Sequence, residues 1–365
     1  MTSRKLLVLE IETEEVAIAT LLHALEQTDW QVTILGSRLL LDRLADVLGD
    51  ASFDGITLDA KETLFDFEWE SFDLILLPNP KFMPADYAEA FLSSRGSTPF
   101  GIGVFDLEDL NSRGSAINRC YRDGNSFFIC CSFVYISDLD FVNRDNQLAR
   151  KVGSMNKKLL VIPFKHTTDV QRCLSESSIN IVVSGKVQAK RRNYLFAIIG
   201  VFRASQNSPK PVHLCLNGGA TGIYGIFIYY FTKLAGKVSR NLSIEAYKSR
   251  VNEDRYRENL RKSHINLLPL TSLYDDGKDS GAFYDSMQYN MVSICPDSHL
   301  RSIGSVHGAV ALGYSDMEEL VSTLCTVMPR LNGYLAQSYT KTKEYCLLDF
   351  CGYLVNELNT LSKNR

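Results

Sequence analysis

The run Ser184-Gly185-Lys186-Val187-Gln188-Ala189-Lys190-Arg191-Arg192-Asn193 places four cations within seven residues, directly after a glycine. The glycine frees the backbone to turn. An apolar run follows, and if it is a helix its first N–H groups point at the same place as the cations. Cationic donors beside a helix start are what a diphosphate needs. When a sugar–phosphate bond breaks, charge builds on the departing diphosphate, and cations held in place stabilise that charge more than the ground state. Lys186 and Arg192 are the catalytic candidates and Gly185 a donor-binding one. A solvated basic turn explains the same residues, so the chemistry alone leaves both readings open.

Two further segments fit the same ligand. In Asp279-Ser280-Gly281-Ala282-Phe283-Tyr284-Asp285-Ser286-Met287, Ser280 and Gly281 offer backbone N–H groups at a helix start. Asp285, one turn on, is placed to accept hydrogen bonds from a ribose diol; as a solvated helix residue it would do nothing. The turn Asn217-Gly218-Gly219-Ala220-Thr221-Gly222 follows the apolar Val212–Leu216, and Gly218 there allows close approach of a ligand. On the other side of the chain, Asp106, Glu108 and Asp109 follow an apolar run, and Asp106 is the candidate acceptor-side base. Glu10-Ile11-Glu12-Thr13-Glu14 reads as an exposed acidic loop, and His23 as a structural residue of an amphipathic helix.

The order of these segments resembles the donor half of retaining "group 1" glycosyltransferases of the GT-B type. In that family a strand leads to Gly-Arg, then a basic residue about six positions on, then a glycine and an apolar helix. Here Lys186 stands at the arginine position, Arg192 at the lysine position and Asn193 at the glycine. The cations are exchanged in type, which changes the geometry of their contacts. The family's nucleotide stretch carries two acidic residues eight positions apart. Asp285 falls at the second and Gly277 at the first, leaving Asp276 or Asp279 as displaced substitutes. The resemblance implies a hexosyl-type glycosyltransferase, retaining in outcome, with a UDP- or GDP-linked donor and no cofactor. Asp138-Leu139-Asp140 mimics the Asp-x-Asp metal site of GT-A enzymes, but the basic loop makes a metal redundant and none is expected.

These segments require particular elements. The strand candidates Leu6–Ile11, Gln31–Leu35, Asp73–Leu77, Phe100–Phe105, Ser126–Cys131 and Lys158–Pro163 are apolar runs with little alternation, as in parallel strands buried on both faces. Helical spacing lies between them at Glu15–Gln27, Arg38–Leu48 and Ala85–Ser93. A second series follows, with strands Ile179–Ser184, Val212–Leu216, Leu242–Ala246, Ile265–Leu268, Met291–Cys295 and Ala309–Leu312. The fold class is α/β: two Rossmann-like, doubly wound parallel-sheet domains with an interdomain cleft. The expected divisions are 1–163 for the acceptor side, 164–334 for the sugar nucleotide, and a helical segment, 335–365, crossing back to the first domain.

Of the 365 residues, 39 are basic and 42 acidic. Up to Pro163 there are 15 basic and 25 acidic residues, a net of −10; the remainder carries +7. An anionic ligand suits the second half, whereas the acidic first half argues against strong docking of that half to anionic lipid. Nucleic acid is not an expected partner. The nine cysteines lack metal-ligand spacing and read as reduced thiols. With no signal-like opening, and with the longest apolar run, Ile223 to Phe231, too short to span a bilayer, the expected location is the cytoplasm. The acceptor stays open between glycan, lipid-linked and protein, with room for peripheral membrane contact and for an oligomer. Two other readings remain: a non-catalytic GT-B-like subunit that binds a nucleotide sugar or stabilises a partner, and a dinucleotide oxidoreductase, against which the missing Gly-x-Gly-x-x-Gly after the first strand counts.

Overall fold

The structure, a computed structural model, describes residues 4–11, 15–26, 28–48, 53–58, 62–65, 67–80, 83–103, 119–120, 123, 126–131, 159–162, 177–185, 187–249, 251–274, 280–303, 311–346 and 350–362. The chain divides into two compact units, residues 1–166 with 348–365, and 167–347.

The first unit is built on a seven-stranded parallel sheet. Its strands are β1 (Arg4–Glu10), β2 (Trp30–Gly36), β3 (Asp54–Thr57), β4 (Leu74–Leu77), β5 (Phe100–Gly103), β6 (Ser126–Cys131) and β7 (Leu159–Ile162), in the order β3-β2-β1-β4-β5-β6-β7. The central strands are apolar throughout because helices cover both faces. Leu6, Val8, Leu74 and Leu76 pack on one side with Ile18, Leu21 and Leu44, and Leu7, Leu9, Ile75 and Leu77 pack on the other with Trp69 and Phe91. The helix Phe350–Ser362 belongs to this unit. Its Leu354, Leu358 and Leu361, at helical spacing, join the first of these clusters.

The second unit holds a six-stranded parallel sheet of β8 (Ile179–Ser184), β9 (Val212–Gly219), β10 (Leu242–Tyr247), β11 (Ile265–Leu267), β12 (Val292–Pro296) and β13 (Ala311–Tyr314), ordered β10-β9-β8-β11-β12-β13. Its helices include Tyr194–Ser205, Gly222–Val238, Glu253–Lys262, Gly281–Gln288, Met317–Val327 and Leu331–Cys346. In both sheets the chain steps outward from a central strand and then returns to that strand's other side. This order is the doubly wound, Rossmann-like one, and it creates a crevice beyond the carboxyl ends of the central strands. In the second unit the crevice lies between β8 and β11.

Two local expectations change. Gly218, expected in a turn, lies buried inside β9, which runs on to Gly219. Glu10, which falls within the strand candidate Leu6–Ile11 but was expected in an exposed acidic loop, is the last residue of β1 and is buried.

Candidate functional site

The basic run is a tied loop between β8 and the helix Tyr194–Ser205. Gly185 N–H donates to Asn217 O at 3.3 Å and Val187 N–H to Gly219 O at 3.2 Å, fastening its start to β9. Its end is fastened to the segment after β11: Asn193 N–H donates to Pro269 O at 2.8 Å, and Thr271 N–H to Arg191 O at 3.3 Å. Asn193, where the family's pattern has glycine, caps the helix, its side-chain oxygen accepting from Phe196 N–H.

Within this loop the cations separate. Lys190 and Arg191 are exposed, whereas Arg192 is only 6% exposed. The Arg192 guanidinium lies against Gly185: a Cβ added there would sit 2.8–2.9 Å from the Arg192 Nη1, Cζ and Nη2 atoms. Gly185 also has φ +98°, in the left-handed region that side chains avoid. Both constraints demand glycine. Tyr194 closes the turn by donating its hydroxyl to Gly185 O at 2.9 Å, and burial, partly opposed by the Arg192 charge, pushes its phenol up to about 12. The Nε of Arg192 has no hydrogen-bond partner among the described residues. A buried, incompletely paired guanidinium is costly unless a ligand completes it.

Arg192 borders a layer of buried polar side chains at the carboxyl ends of β8, β9 and β11. Ser184, Asn217 and Asn266 are fully buried. Ser184 Oγ donates to Asn266 Oδ1 at 3.2 Å; Asn266 Nδ2 donates to Ala282 O at 2.6 Å and to Ser286 Oγ at 2.9 Å, docking the helix Gly281–Gln288 on β11. From the other side Asn217 Nδ2 donates to Tyr256 O at 3.0 Å. The Tyr256 hydroxyl donates to Asp285 Oδ2 at 2.6 Å. Burial and then the Asp285 carboxylate hold that phenol well above its ordinary value, with Arg192 and Ser184 pulling the other way. The guanidinium is therefore near enough for its charge to act on the Tyr256–Asp285 pair.

Asp285 is 2% exposed and bonded inside the protein, unlike the solvated residue that was the simpler alternative for it. Ser280 caps the helix Gly281–Gln288 through its backbone alone, and its buried Oγ has no partner among the described residues; Gly281 is exposed. The structure thus brings Gly185, Arg192 and Asp285 to one polar layer beside the strand carrying Gly218, with Ser280 at the start of the helix that carries Asp285. Lys186, Asp106, Asp138, Asp140 and residues 276–279 lie outside the described residues. Among the described residues no group of three His, Cys, Asp or Glu side chains could hold a metal ion, and no helix is long and apolar enough to cross a membrane.

Tyr256, Asn259 and Asn266 were not singled out in the sequence, and Asn217 appeared there only as the start of a Gly-rich turn. For Asn217 and Asn266 the local signal is an asparagine inside or closing an apolar strand, as in Ile265-Asn266-Leu267; Tyr256 and Asn259, on the helix Glu253–Lys262, carry no such signal. A cavity of about 850 Å³ in the first unit is lined by Leu22, Glu26, Trp30, Thr33 and Asp54 among others, and there the Asp54 carboxylate accepts from Thr33 Oγ1 at 3.1 Å.

No protein-family model matches the chain, and no curated protein sequence matches it. Solved structures do. A glycosyltransferase from Rickettsia africae ESF-5 superposes with a TM-score of 0.62 at 10% identity, covering 100% of both chains. The UDP-GlcNAc 2-epimerase from Neisseria meningitidis, bound to UDP-GlcNAc, matches with a TM-score of 0.57 at 10% identity over 98% of this chain and 99% of that one. A UDP-forming α,α-trehalose-phosphate synthase from Burkholderia xenovorans matches with a TM-score of 0.56 at 10% identity over 99% of each. The chain carries the GT-B fold, two Rossmann-like units on parallel sheets, in common with these glycosyltransferases and the epimerase.

Proposed function

We propose that the chain is a glycosyltransferase that takes its sugar from a nucleotide-diphosphate donor held by the second unit. The observation that carries this reading is Arg192: buried, laid over Gly185, with an Nε unpaired among the described residues, at the switch point between β8 and β11. Crevices at such points take nucleotides. An incompletely paired guanidinium there suits the anionic leaving group of sugar transfer. Lys186, six residues earlier, supplies the second cation, and these two charges do the work that a divalent ion does elsewhere. The backbone N–H of the exposed Gly281 and the Ser280 Oγ, unpaired among the described residues, supply neutral donors to a phosphate, and Gly218 keeps β9 open to it. A retaining, hexosyl-type outcome and a UDP- or GDP-linked donor follow from the resemblance. Asp106 is the candidate on the acceptor side.

The bond between Tyr256 and Asp285 favours a second reading, because an aspartate occupied inside the protein is less available to a ribose. In that reading the chain is a GT-B-like subunit that binds a nucleotide sugar without transferring it. A mass-spectrometric screen of UDP- and GDP-sugars, without acceptor, separates the two. Release of nucleoside diphosphate that disappears in Lys186→Ala and Arg192→Ala, with the fold retained, supports transfer. Calorimetric binding without turnover supports the subunit. Conversion to an epimeric sugar nucleotide would replace both with an epimerase.

A further inference from the structure

The helix Gly222–Val238 has two apolar faces and only one of them is covered. Ile228 is buried in the core of the second unit, with Tyr224, Phe231 and Ala235 packed around it. Gly236 on the same side faces Ile244 of the edge strand β10. The opposite face leaves Ile223 90%, Ile226 44%, Phe227 51%, Tyr230 58%, Leu234 62% and Val238 68% exposed. At 100° per residue these six side chains fall within one sector of roughly 120°. Six large apolar groups on one sector form a contiguous patch, which a monomeric protein seldom leaves to water.

The charges on this face have one sign. Lys233 is exposed on its flank, Lys237 is exposed within it near the last turn of the helix, and Arg240 is exposed just beyond the helix end. The helix contains no Asp or Glu. Lys233 also sits over the Tyr229 ring, its Nζ 5.4 Å from the centroid. Aliphatic and aromatic side chains flanked only by cations are the composition of a helix that lies in the plane of a bilayer surface. Its apolar side chains enter the acyl boundary and its lysines reach the headgroups. The +7 balance of the chain after Pro163 adds to the attraction. A second copy fits less well. A two-fold contact through this face would bring lysines against lysines with no carboxylate on the helix to answer them.

We propose that this face docks the protein on a membrane surface rich in anionic lipid. The proposal stands independently of donor chemistry, because vesicle binding requires no turnover. The test is flotation of the full chain with phosphatidylcholine vesicles, with and without phosphatidylglycerol. The expected result is binding to the anionic vesicles that weakens with added salt. Lys233→Glu with Lys237→Glu should lower the partition coefficient at least ~10-fold, and Phe227→Ser with Leu234→Ser should abolish flotation. All four side chains are exposed, so circular-dichroism melts of both variants should match the parent. Absence of flotation with anionic vesicles overturns the proposal, as does flotation that both double variants leave intact. So does self-association in sedimentation that the Phe227/Leu234 variant removes, since the face would then belong to a second copy.

Discussion

The two sheets share one winding and end differently at the same topological place. In the first unit the switch point lies between β1 and β4, and Glu10 fills it. One carboxylate oxygen accepts from Asn79 N–H at 2.8 Å and the other from Ile11 N–H at 3.0 Å. The chain's own backbone thus occupies that acid. In the second unit the corresponding place between β8 and β11 holds a guanidinium with one nitrogen unpaired among the described residues, above buried serine and asparagine side chains. A carboxylate already bonded to N–H groups is a structural closure that repels anions, whereas a buried cation with unused donor capacity attracts them. One winding therefore yields a closed end and a candidate anion site, and the difference lies in which charge the strand-end residues bring.

Removing the cation tests that difference most severely. Arg192→Ala is expected to lower sugar-nucleotide turnover roughly 100- to 1,000-fold in kcat while leaving the melting temperature near that of the parent, because the lost side chain was incompletely paired. Turnover unchanged in that variant would place the chemistry elsewhere. Next in size is Gly185→Ala. Its φ of +98° and the overlap with the guanidinium together should cost about 2 kcal/mol, read as a lower urea midpoint with turnover falling alongside, since the displaced group is Arg192.

What could be read beforehand follows the same division. Strands buried on both faces announce themselves as apolar runs, so all but one of the strands of both sheets were legible. The missing one, β3, is an edge strand. Asp54-Gly55-Ile56 is exposed and has no apolar run to show. The basic loop was legible because its charges are consecutive. The polar layer beneath it was not: Asn217, Tyr256 and Asn266 are 10 to 49 residues apart and meet through strand order and the docking of the helix Glu253–Lys262. Glu10 was misjudged for a related reason. A glutamate after an apolar run looks like the start of a loop unless the N–H groups that receive it, one of them 69 residues away, are known.

Glu10→Gln sharpens the comparison from the closed side. The amide keeps one acceptor oxygen and turns N–H donors toward a backbone N–H that needs an acceptor. The expected loss is about 1–2 kcal/mol of stability in urea titration, with sugar-nucleotide turnover unchanged. A fall in turnover with the fold intact would show that the first unit's switch point also takes part in the reaction.

The smallest effect separates the polar layer from the surface beyond it. Asn259 joins the two, donating to Asn217 Oδ1 at 2.9 Å and to the Tyr247 hydroxyl at 2.8 Å. Tyr247 in turn donates to Glu245 Oε1 at 2.7 Å, which also receives Arg255 at 3.1 Å. Partial burial alone would raise the Glu245 pKa, but the hydrogen bonds from Tyr247 and Arg255 outweigh it and hold the carboxyl below its ordinary value. A folded-state pKa below the unfolded one means that the unfolded chain takes up the proton first. The contribution is complete above the ordinary carboxylate pKa and disappears as the pH falls through the lower, folded value. Because the Glu245 side chain is 32% exposed at the sheet edge, solvent screening keeps the effect under about 1 kcal/mol. Urea midpoints compared at neutral pH and at acid pH should therefore fall less steeply in Glu245→Gln than in the parent. Turnover at neutral pH should stay the same, because the anion site depends on Arg192 and not on the edge of the sheet. A loss of turnover in this variant would extend the functional layer through Asn259 to the surface of β10.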